Sequence, residues 1–362
     1  MSLEVPTICP GSPELPEMSE ALGTFYLAPP LRHTRDRVYV HLRERGWQAS
    51  FPAAGVMAVA VPAGGLRGLL RVLETLMSEP EMDAASALFM ERGETFGPSS
   101  LFQARPLSVW TARAGHEWLV GLIREERVQI HYQPILHARG QEAGGVYAYE
   151  CLLRGLDGMG GLVSPGRMFQ AAEMADLEFY LDRMARVAAI RDSHELGVEA
   201  ALFINFRPTA IYDPAFCLRT TVGAVEQLGL DPRRIVFEVV ESERVSDHGH
   251  LRHIVDEYRQ GGFRIALDDL GAGYGSLNLL KDLEPDVVKI DRELIRYVHL
   301  NPAQATIVEA IVSMARNLGI TTVAEGVEEQ AEYEWLREAG VDLVQGYYFA
   351  RPAHPPPQPS WG

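Results

Sequence analysis

Residues 263–269 read FRIALDD, a short apolar run that ends in two adjacent aspartates. The run is too short for a typical helix, is rich in Phe, Ile and Leu, and is followed by the Gly-rich segment LGAGYGS at residues 270–276, which together favour a buried β-strand. In β/α proteins the carboxyl ends of parallel strands carry the functional side chains. The stretch therefore predicts one strand of such a sheet, with its chemistry at Asp268 and Asp269.

Seven similar runs flank this one. With it they form a series of eight, at residues 130–137, 146–153, 201–206, 235–240, 263–269, 287–291, 321–327 and 343–349. Most are separated by stretches long enough for a helix, at residues 165–196, 214–228, 248–260 and 302–318. Strands that alternate with helices in this number predict an α/β fold, a modified TIM-like β/α barrel.

One connection does not fit a regular barrel. Only residues 138–145, ARGQEAGG, separate the first two strands. A parallel crossover needs about a dozen residues or more, so this Gly-rich link predicts a hairpin. The barrel should therefore contain one antiparallel strand.

The region before the barrel divides into segments of different character. Residues 1–20 are expected to be a flexible tail, residues 21–92 a small α+β domain, and residues 93–114 a connector to the barrel at 115–353, with a disordered tail at 354–362. Within the small domain, strand and helix patterns follow the order βαββαβ of a ferredoxin-like fold. Its role stays open between dimerisation or packing and the sensing of a small ligand or signal.

Composition narrows the class of protein. The 49 acidic and 33 basic residues give a net charge of -16, which argues against a surface for duplex nucleic acid or anionic lipid. The three cysteines are too few and too scattered for a disulfide framework or a zinc site. The start of the chain lacks the pattern of a secretory signal, and the longest apolar stretch is too short to span a bilayer. We therefore expect a cytoplasmic protein without a membrane segment.

Polar side chains recur at the predicted carboxyl ends of the strands. They are Glu150, Asn205, Glu238, Asp268, Asp269, Lys289, Asp291, Glu325 and Gln345. Carboxylates gathered at one rim repel one another, and divalent cations remove that repulsion. Oxygen ligands of this kind suit Mg²⁺ or Mn²⁺ rather than zinc. Two such ions would suit phosphoryl chemistry, with Lys289 supplying fixed positive charge beside a phosphate or the nucleophile.

The motifs around these residues resemble those of the EAL-domain cyclic-di-GMP phosphodiesterases. The matching stretches are YQPI at 132–135, ECLLR at 150–154, Asn205, EVVES at 238–242, DDLGAGYGS at 268–276, KID at 289–291, AEGVE at 324–328 and QGY at 345–347. The resemblance covers about residues 115–353. It implies a modified β/α barrel with one antiparallel strand, and hydrolysis of cyclic-di-GMP to linear pGpG by a homodimer that binds a pair of Mg²⁺ or Mn²⁺ ions.

The resemblance also implies a role for each matched residue. Metal ligands would be Glu150, Asn205, Glu238, Asp268 and Asp269, with Asp268 shared by two ions. The catalytic residues would be Glu150, Lys289 and Glu325: Glu325 would orient or deprotonate the attacking water, and Lys289 would contact that water or the second metal site. Gln133 and Arg154 would contact the substrate, and Gln345 would support the site. Glu241 would anchor the loop at 270–276, a mobile lid, and Asp291 would lie in or near the surroundings of the metal ligands.

Several positions depart from the family pattern. Cys151 stands where Ala is usual, Val240 replaces a Thr, Arg207 replaces a small polar residue, and Leu270, Ala272 and Gly275 alter the lid. None is an implied metal ligand, so these changes bear on rate and lid control. The alternative is a receptor that binds cyclic-di-GMP without efficient turnover. A metal-dependent hydrolase of another phosphodiester ranks below both.

Overall fold

The computed structural model describes residues 14–211, 213–240, 248–271 and 276–360. By their contacts the residues form two compact units. One comprises Pro13–Glu126 and Gly166–Glu178, and the other comprises Arg127–Pro165 and Phe179–Gly362, in each case as far as those residues are described. The domain boundaries expected from the sequence stay a prediction.

The N-terminal unit alternates short strands and helices. Its elements are β1 Gly23–Ala28, α1 Arg32–Glu44, β2 Ala49–Ala53, β3 Val56–Val61, α2 Leu66–Leu76, α3 Glu79–Ala84, β4 Ser86–Glu91, α4 Pro98–Gln103, β5 Arg105–Pro106, α5 Leu107–Gly115 and α6 Glu117–Arg124. The sheet has the order β2-β3-β1-β4-β5. Every pairing in this sheet is antiparallel. The first four strands therefore have the ferredoxin-like order that the sequence predicted.

Three helices of this unit were not predicted: α3 in the expected small domain, and α4 and α5 in the stretch expected to be a connector. The start of α3 has a recognisable local signal. The Glu81 carboxylate accepts a hydrogen bond from the Ser78 amide at 2.9 Å, and Pro80 stands in the first turn. The spacing Ser-x-x-Glu followed by a helical turn is a capping box, which is visible in the sequence.

The second unit is a closed barrel. The strands of this part of the chain are β6 Val128–His137, β7 Val146–Leu156, β8 Leu162–Val163, β9 Ala201–Phe206, β10 Ile235–Val240, β11 Arg264–Leu270, β12 Val287–Ile290, β13 Thr321–Ala324 and β14 Leu343–Val344. The helices are α7 Pro165–Ala175, α8 Glu178–Glu195, α9 Pro214–Cys217, α10 Arg219–Gln227, α11 His248–Gln260, α12 Ser276–Leu283, α13 Arg292–Ile295, α14 Pro302–Leu318 and α15 Gln330–Ala339. Most of α7 belongs by its contacts to the first unit. Short 3₁₀ turns lie at Pro208–Ala210, Pro232–Arg234 and Val298–Leu300.

Strand pairing confirms the predicted hairpin. β6 is antiparallel to both of its neighbours, β7 and β14, and this contact closes the sheet. The barrel strands from β7 through β9 to β14 pair in parallel. The structure is thus a TIM-like β/α barrel with one antiparallel strand, as expected from the short link at 138–145.

The barrel interior contains a layer of apolar side chains to which each of its eight strands contributes one residue. The layer consists of Ile135, Ala148, Phe203, Val236, Ala266, Val287, Val323 and Leu343. Side chains two residues apart in a strand point to the same face. The next inward-facing position toward the carboxyl ends therefore belongs to a second layer, directly above this apolar floor.

Some elements differ in length from their expected bounds. The predicted helical stretch at 165–196 contains two helices, α7 and α8, separated at Asp176, whose φ is 54°. The last two strands are shorter than predicted, because the chain turns after Ala324 and Val344 to form the loops of the rim. The expected lid residues 272–275 lie outside the described residues.

The C-terminal segment is more ordered than the sequence suggested. Residues 354–360 were expected to be disordered, but the His354 ring nitrogen Nδ1 lies 3.0 Å from the Ile130 carbonyl oxygen, and the Ser360 amide donates to the Phe349 carbonyl at 3.1 Å. The His354 ring also stacks on Tyr132. Aromatic stacking and backbone hydrogen bonds thus hold a Pro-rich sequence against the barrel.

Across the described part of the chain, no helix has the length and apolarity needed to cross a membrane.

Aspartates at the amino-terminal ends of strands tie neighbouring strands together. The Asp342 carboxylate, just before β14, accepts hydrogen bonds from the Thr322 amide at 3.0 Å and the Thr322 hydroxyl at 2.8 Å, and it pairs with Arg139. Burial by itself would raise the pKa of Asp342, but the hydrogen bonds from Arg139 and Thr322 lower it overall. Because the folded state favours the ionised carboxylate, Asp342 stabilises the fold at pH values above the ordinary pKa of the carboxyl group.

We predict that Asp342→Ala lowers the free energy of unfolding by about 1–2 kcal/mol at neutral pH, because it removes several hydrogen bonds to a partly screened carboxylate. Since the folded-state pKa is lowered, this difference should be fully present above the ordinary pKa of 3.8 and should shrink as the pH falls through the lower folded-state value. Urea unfolding at several pH values measures it. Glu338→Ala, at an exposed carboxylate of α15, is the control; equal effects of the two substitutions would contradict the assignment.

Candidate active site

The polar residues predicted at the rim form the layer above the apolar floor. In seven strands the polar residue follows the floor residue by two positions. The pairs are Ala148 and Glu150, Phe203 and Asn205, Val236 and Glu238, Ala266 and Asp268, Val287 and Lys289, Val323 and Glu325, and Leu343 and Gln345. In the antiparallel strand β6 the order is reversed, and Gln133 precedes Ile135 by two. The strand period therefore places all eight polar side chains on one level.

Lys289 lies at the centre of this level. Its Nζ is 2.6 Å from Glu238 Oε1, 2.7 Å from Glu325 Oε1 and 3.1 Å from Asp268 Oδ1. Glu150 Oε2 lies further away, at 3.9 Å. The Lys289 side chain is 1% exposed. One ammonium thus faces four carboxylates in a buried setting, and negative charge remains in excess.

Amide side chains orient Glu150. Gln345 Nε2 donates to Glu150 Oε2 at 2.6 Å, and Asn205 Nδ2 lies 3.3 Å from Glu150 Oε1. Gln345 is buried, and its Oε1 has no hydrogen-bond partner among the described residues. The two amides hold the carboxylate from both sides and leave their own oxygens available to another group.

Asp269 takes an unusual backbone conformation beside Asp268. Its φ is 55°, in the left-handed region that non-glycine residues seldom adopt, and its amide donates to Asp268 Oδ1 at 3.0 Å. The turn brings Asp268, Asp269 and Glu325 together, so that one carboxylate oxygen of each lies within 4.8 Å of the others.

Burial and mutual repulsion shift the protonation of the acidic residues. Burial raises the pKa of Glu325 to about 8, with Asp268 and Glu150 adding to the shift and Lys289 opposing it. Burial, together with Asp268 and Asp291, raises the pKa of Asp269 to about 6. Burial also raises the pKa of Glu238 well above its ordinary value. For Lys289, burial favours the neutral form, but Asp268, Glu150 and Glu238 raise the pKa.

The donor set fits divalent metal ions. In the fully buried Glu238, Oε1 contacts Lys289 Nζ at 2.6 Å, whereas Oε2 has no hydrogen-bond partner among the described residues. Buried oxygens of this kind need a positively charged partner. The available groups are carboxylate and amide oxygens, which are hard ligands suited to Mg²⁺ or Mn²⁺. Asp268, Asp269 and Glu325 are the three carboxylates whose spacing best suits a single shared ion.

The remaining predicted residues lie around this centre. Gln133 is 9% exposed and opposes Glu150 across the β6–β7 pair. Arg154 lies on the same face of β7 as Glu150, and it is partly buried at the rim, where burial lowers its pKa while Tyr347 and Glu150 raise it. Asp291 caps α13 by accepting from the Glu293 amide at 2.8 Å, a structural contact the sequence did not anticipate. Glu241 lies outside the described residues.

A buried ion pair supports the strand that carries Asn205. Asp182 and Arg186 are one turn apart on α8, and their paired side chains are almost fully buried. Asp182 Oδ1 accepts from the Arg207 amide at 2.9 Å, two residues beyond Asn205, while Arg186 Nε donates to Thr221 Oγ1 at 3.2 Å. The sequence analysis missed this pair. The available signal was an Asp and an Arg spaced i, i+4 in the predicted helical stretch.

A second missed residue holds the loop that follows Glu325. The Glu332 side chain is 1% exposed and accepts from the Tyr297 amide at 2.8 Å, the Glu328 amide at 2.9 Å and the Glu329 amide at 3.1 Å. Glu332 is the third residue of α15, in a capping box with Glu329. One buried carboxylate therefore fixes the chain immediately after the proposed base.

Gly346 allows this loop to contact the last strand. A Cβ at Gly346 would collide with the Val327 backbone. The Val327 amide donates to the Gln345 carbonyl at 3.0 Å, and the Tyr348 amide donates to the Val327 carbonyl at 3.0 Å. Only glycine permits this approach, which holds the loop after Glu325 beside Gln345.

The fold and this centre define a β/α barrel protein with an acidic site that can accommodate cations at the carboxyl ends of its strands. The profile described as "EAL domain" matches residues 116–352. The chain belongs to this family.

Named relatives share this domain. The "Cyclic di-GMP phosphodiesterase NbdA" of Pseudomonas aeruginosa is 30% identical over 240 residues, which are 64% of this chain and 29% of that protein. The "Probable cyclic di-GMP phosphodiesterase PdeG" of Escherichia coli is 31% identical over 228 residues, or 61% of this chain and 44% of that protein. The chain thus spans less than half the length of these two relatives.

Solved structures agree with the fold. A "standalone versatile EAL protein" from Vibrio cholerae O395, in its c-di-GMP bound form, is 38% identical with a TM-score of 0.58, and the match covers 64% of this chain and 95% of that one. The "PaMucR Phosphodiesterase, c-di-GMP complex" is 29% identical with a TM-score of 0.58, covering 66% of this chain and 96% of that one.

We predict that Glu332→Ala makes the amides of Glu328, Glu329 and Tyr297 exchange with solvent about 10- to 100-fold faster, because a buried acceptor worth roughly 1–3 kcal/mol is lost. Amide hydrogen exchange followed by mass spectrometry measures the change. Glu334→Ala, at an exposed carboxylate of the same helix, should leave these rates unaltered. Unchanged protection in Glu332→Ala would show that other contacts hold the loop.

Proposed function

We propose that the barrel hydrolyses one phosphodiester bond of cyclic di-GMP and releases linear pGpG, with Mg²⁺ or Mn²⁺ as cofactor. The observation that carries the proposal is the gathering of Glu150, Glu238, Asp268 and Glu325 around Lys289 on one buried level. Relatives and solved EAL proteins are named for cyclic di-GMP. That cyclic di-GMP is also the substrate of this chain is part of the proposal.

Metal binding would use the oxygen-rich half of the site. Glu150, Asn205, Glu238 and Asp268 are proposed to hold one ion, and Asp268 with Asp269 a second. The short spacing of Asp268, Asp269 and Glu325 also makes Glu325 a possible ligand at the second position. Divalent cations supply the positive charge that promotes ionisation of water and neutralises a phosphate.

The protein's own side chains would bind the substrate and manage the proton. Arg154 at the rim is proposed to contact a phosphate, with Gln133 as a neighbouring substrate contact. Glu325 would accept the proton of the attacking water, and Lys289 would stabilise the charge that grows on phosphorus-bound oxygens. Gln345 would hold Glu150 in place through its 2.6 Å hydrogen bond.

The reaction balances without a covalent intermediate on the protein. Water oxygen would attack phosphorus in line with the leaving 3′ oxygen, one P–O bond would form, and the opposite P–O bond would break. The proton of the attacking water would pass to Glu325 and from there to solvent, and a solvent water molecule would supply the proton that the leaving 3′ alkoxide takes up. The buried thiols of Cys151 and Cys217 have no part in this scheme.

The competing function is a receptor that binds cyclic di-GMP without efficient turnover. The departures at Val240 and in the lid sequence favour this candidate. Homodimerisation and a cytoplasmic location, both expected from the sequence, belong to the same proposal. They need measurement of the oligomeric state and of cellular location.

We predict that the purified chain converts cyclic di-GMP to the linear dinucleotide when Mg²⁺ or Mn²⁺ is present and not when the metal is chelated. Chromatography of the nucleotides measures this. Glu150→Ala and Glu325→Ala should each lower turnover by about 100-fold or more, because each removes a group from the reacting centre. Tight binding without turnover by the unaltered chain would instead establish the receptor.

Lys289 provides the sharpest substitution, because the chain has only one other lysine, Lys281. We predict that Lys289→Arg lowers kcat by about 100-fold, since a planar guanidinium cannot occupy the compact space between Glu238 and Glu325. Lys281, whose side chain is 76% exposed, provides the matched control Lys281→Arg. Equal activity of both variants would remove Lys289 from the proposed mechanism. Circular dichroism confirms that each variant is folded.

A further inference from the structure

The N-terminal unit contains a cavity that has no part in the proposed phosphodiesterase. Its volume is about 370 Å³, and it lies against one face of the five-stranded sheet. Ligand sites in proteins occupy roughly 300–1,000 Å³, so this cavity is at the lower end of that range. Its lining comes from both the sheet and the segment that crosses it at residues 96–104.

The face of the sheet that lines the cavity carries apolar side chains. Phe25 and Leu27 of β1 are fully buried in the core with α1 and α2. The alternate residues Tyr26 and Ala28 point to the opposite face and line the cavity, together with Val56 and Leu88. A solvated face of an antiparallel sheet normally carries polar side chains, so the composition of this face indicates that something apolar covers it.

The crossing segment covers the face incompletely. Phe96 and Leu101 line the cavity, yet they remain 55% and 64% exposed. Alanines on both walls, at Ala28 and Ala104, leave the space that larger side chains would fill. A fully collapsed core would bury these apolar groups, because apolar surface left in contact with water is unfavourable.

The lining specifies the chemistry of the occupant. Among the described residues that form it there is no Asp, Glu, Lys, Arg or His, so these residues offer no partner to an ionised ligand. The rings of Tyr26 and Phe96 lie 6.5 Å apart at 55°, which suits contact with a planar ring. The Ser100 hydroxyl oxygen accepts from the Gly97 amide at 3.2 Å, and its proton is available to donate to one acceptor atom.

We propose that this cavity is a binding site for an uncharged, mainly apolar small molecule with one or two rings and a single hydrogen-bond acceptor. Binding would bury the exposed parts of Phe96 and Leu101 against the sheet. The N-terminal unit would then be a ligand-sensing module rather than a packing module. The site is separate from the barrel residues, so the proposal stands or falls independently of the phosphodiesterase.

N-phenylnaphthylamine, an uncharged two-ring probe whose fluorescence rises in apolar surroundings, tests the proposal on the full chain. We expect saturable binding of one probe per chain, and weaker binding of the anionic anilinonaphthalene sulfonate. Ala28→Phe should weaken probe binding by about 10-fold or more, because the new ring fills the cavity from the sheet side. Ala104→Phe should do the same from the other wall.

Ala60→Phe is the matched control. Ala60 lies on the same sheet face, exposed and outside the cavity lining, opposite Thr24 in the β1–β3 pair. This variant should bind the probe like the unaltered chain, and thermal melts should show that all variants are folded. Absence of saturable binding, or equal affinity in the control and both cavity variants, would overturn the proposal. A dimer that Ala28→Phe dissociates would assign the face to a second copy and overturn it as well.

Discussion

The attraction between one buried ammonium and the carboxylates around it is the interaction on which the barrel's upper level depends. Lys289 is within 3.1 Å of Glu238, Glu325 and Asp268, in surroundings nearly closed to water. Removing charges from water costs several kcal/mol per ion unless each has a close partner. Burial, together with acidic neighbours that one lysine cannot neutralise, raises the pKa values of Glu238 and Glu325. The excess of negative charge at the site therefore favours the binding of additional cations.

The apolar layer beneath determines where that charge is placed. Small side chains at Ala148 and Ala266 share this layer with larger ones such as Phe203. This layer fills the barrel interior. The polar side chains at the next inward-facing positions therefore lie at one height in the barrel, and only their far side can face water. The Asp182–Arg186 pair and Glu332 then fix two of the segments that leave this level, from outside the barrel. Rigid support of this kind is what a site of several convergent ligands requires.

Much of this arrangement could be predicted from local sequence, because its determinants are periodic. The bounds of β9, β10, α11 and α14 follow from runs of apolar residues between turn formers, and the short link at 138–145 was enough to predict the antiparallel strand. The floor and the polar level above it share one spacing, as in VFE at 236–238 and VAE at 323–325, which becomes visible only after the strands are aligned. Contacts made across long sequence separations were not predictable. Asp182 reaches Arg207, Glu332 reaches Tyr297, and His354 packs on Tyr132, and none of these pairings leaves a periodic trace.

The hairpin that opens the barrel has a consequence for how the chain tolerates insertion and deletion. Glu150 faces the centre because β6 and β7 pair in one register, with Gln133 opposite Glu150 and Tyr132 opposite Cys151. A slip of one residue would turn Glu150 outward and present the Cys151 thiol in its place. The pairing contains an irregularity between Ile135 and Leu136, on the side of the turn. That bulge separates the link at 138–145 from Gln133 and Glu150, so length variation in the turn can be absorbed before it reaches the ligands.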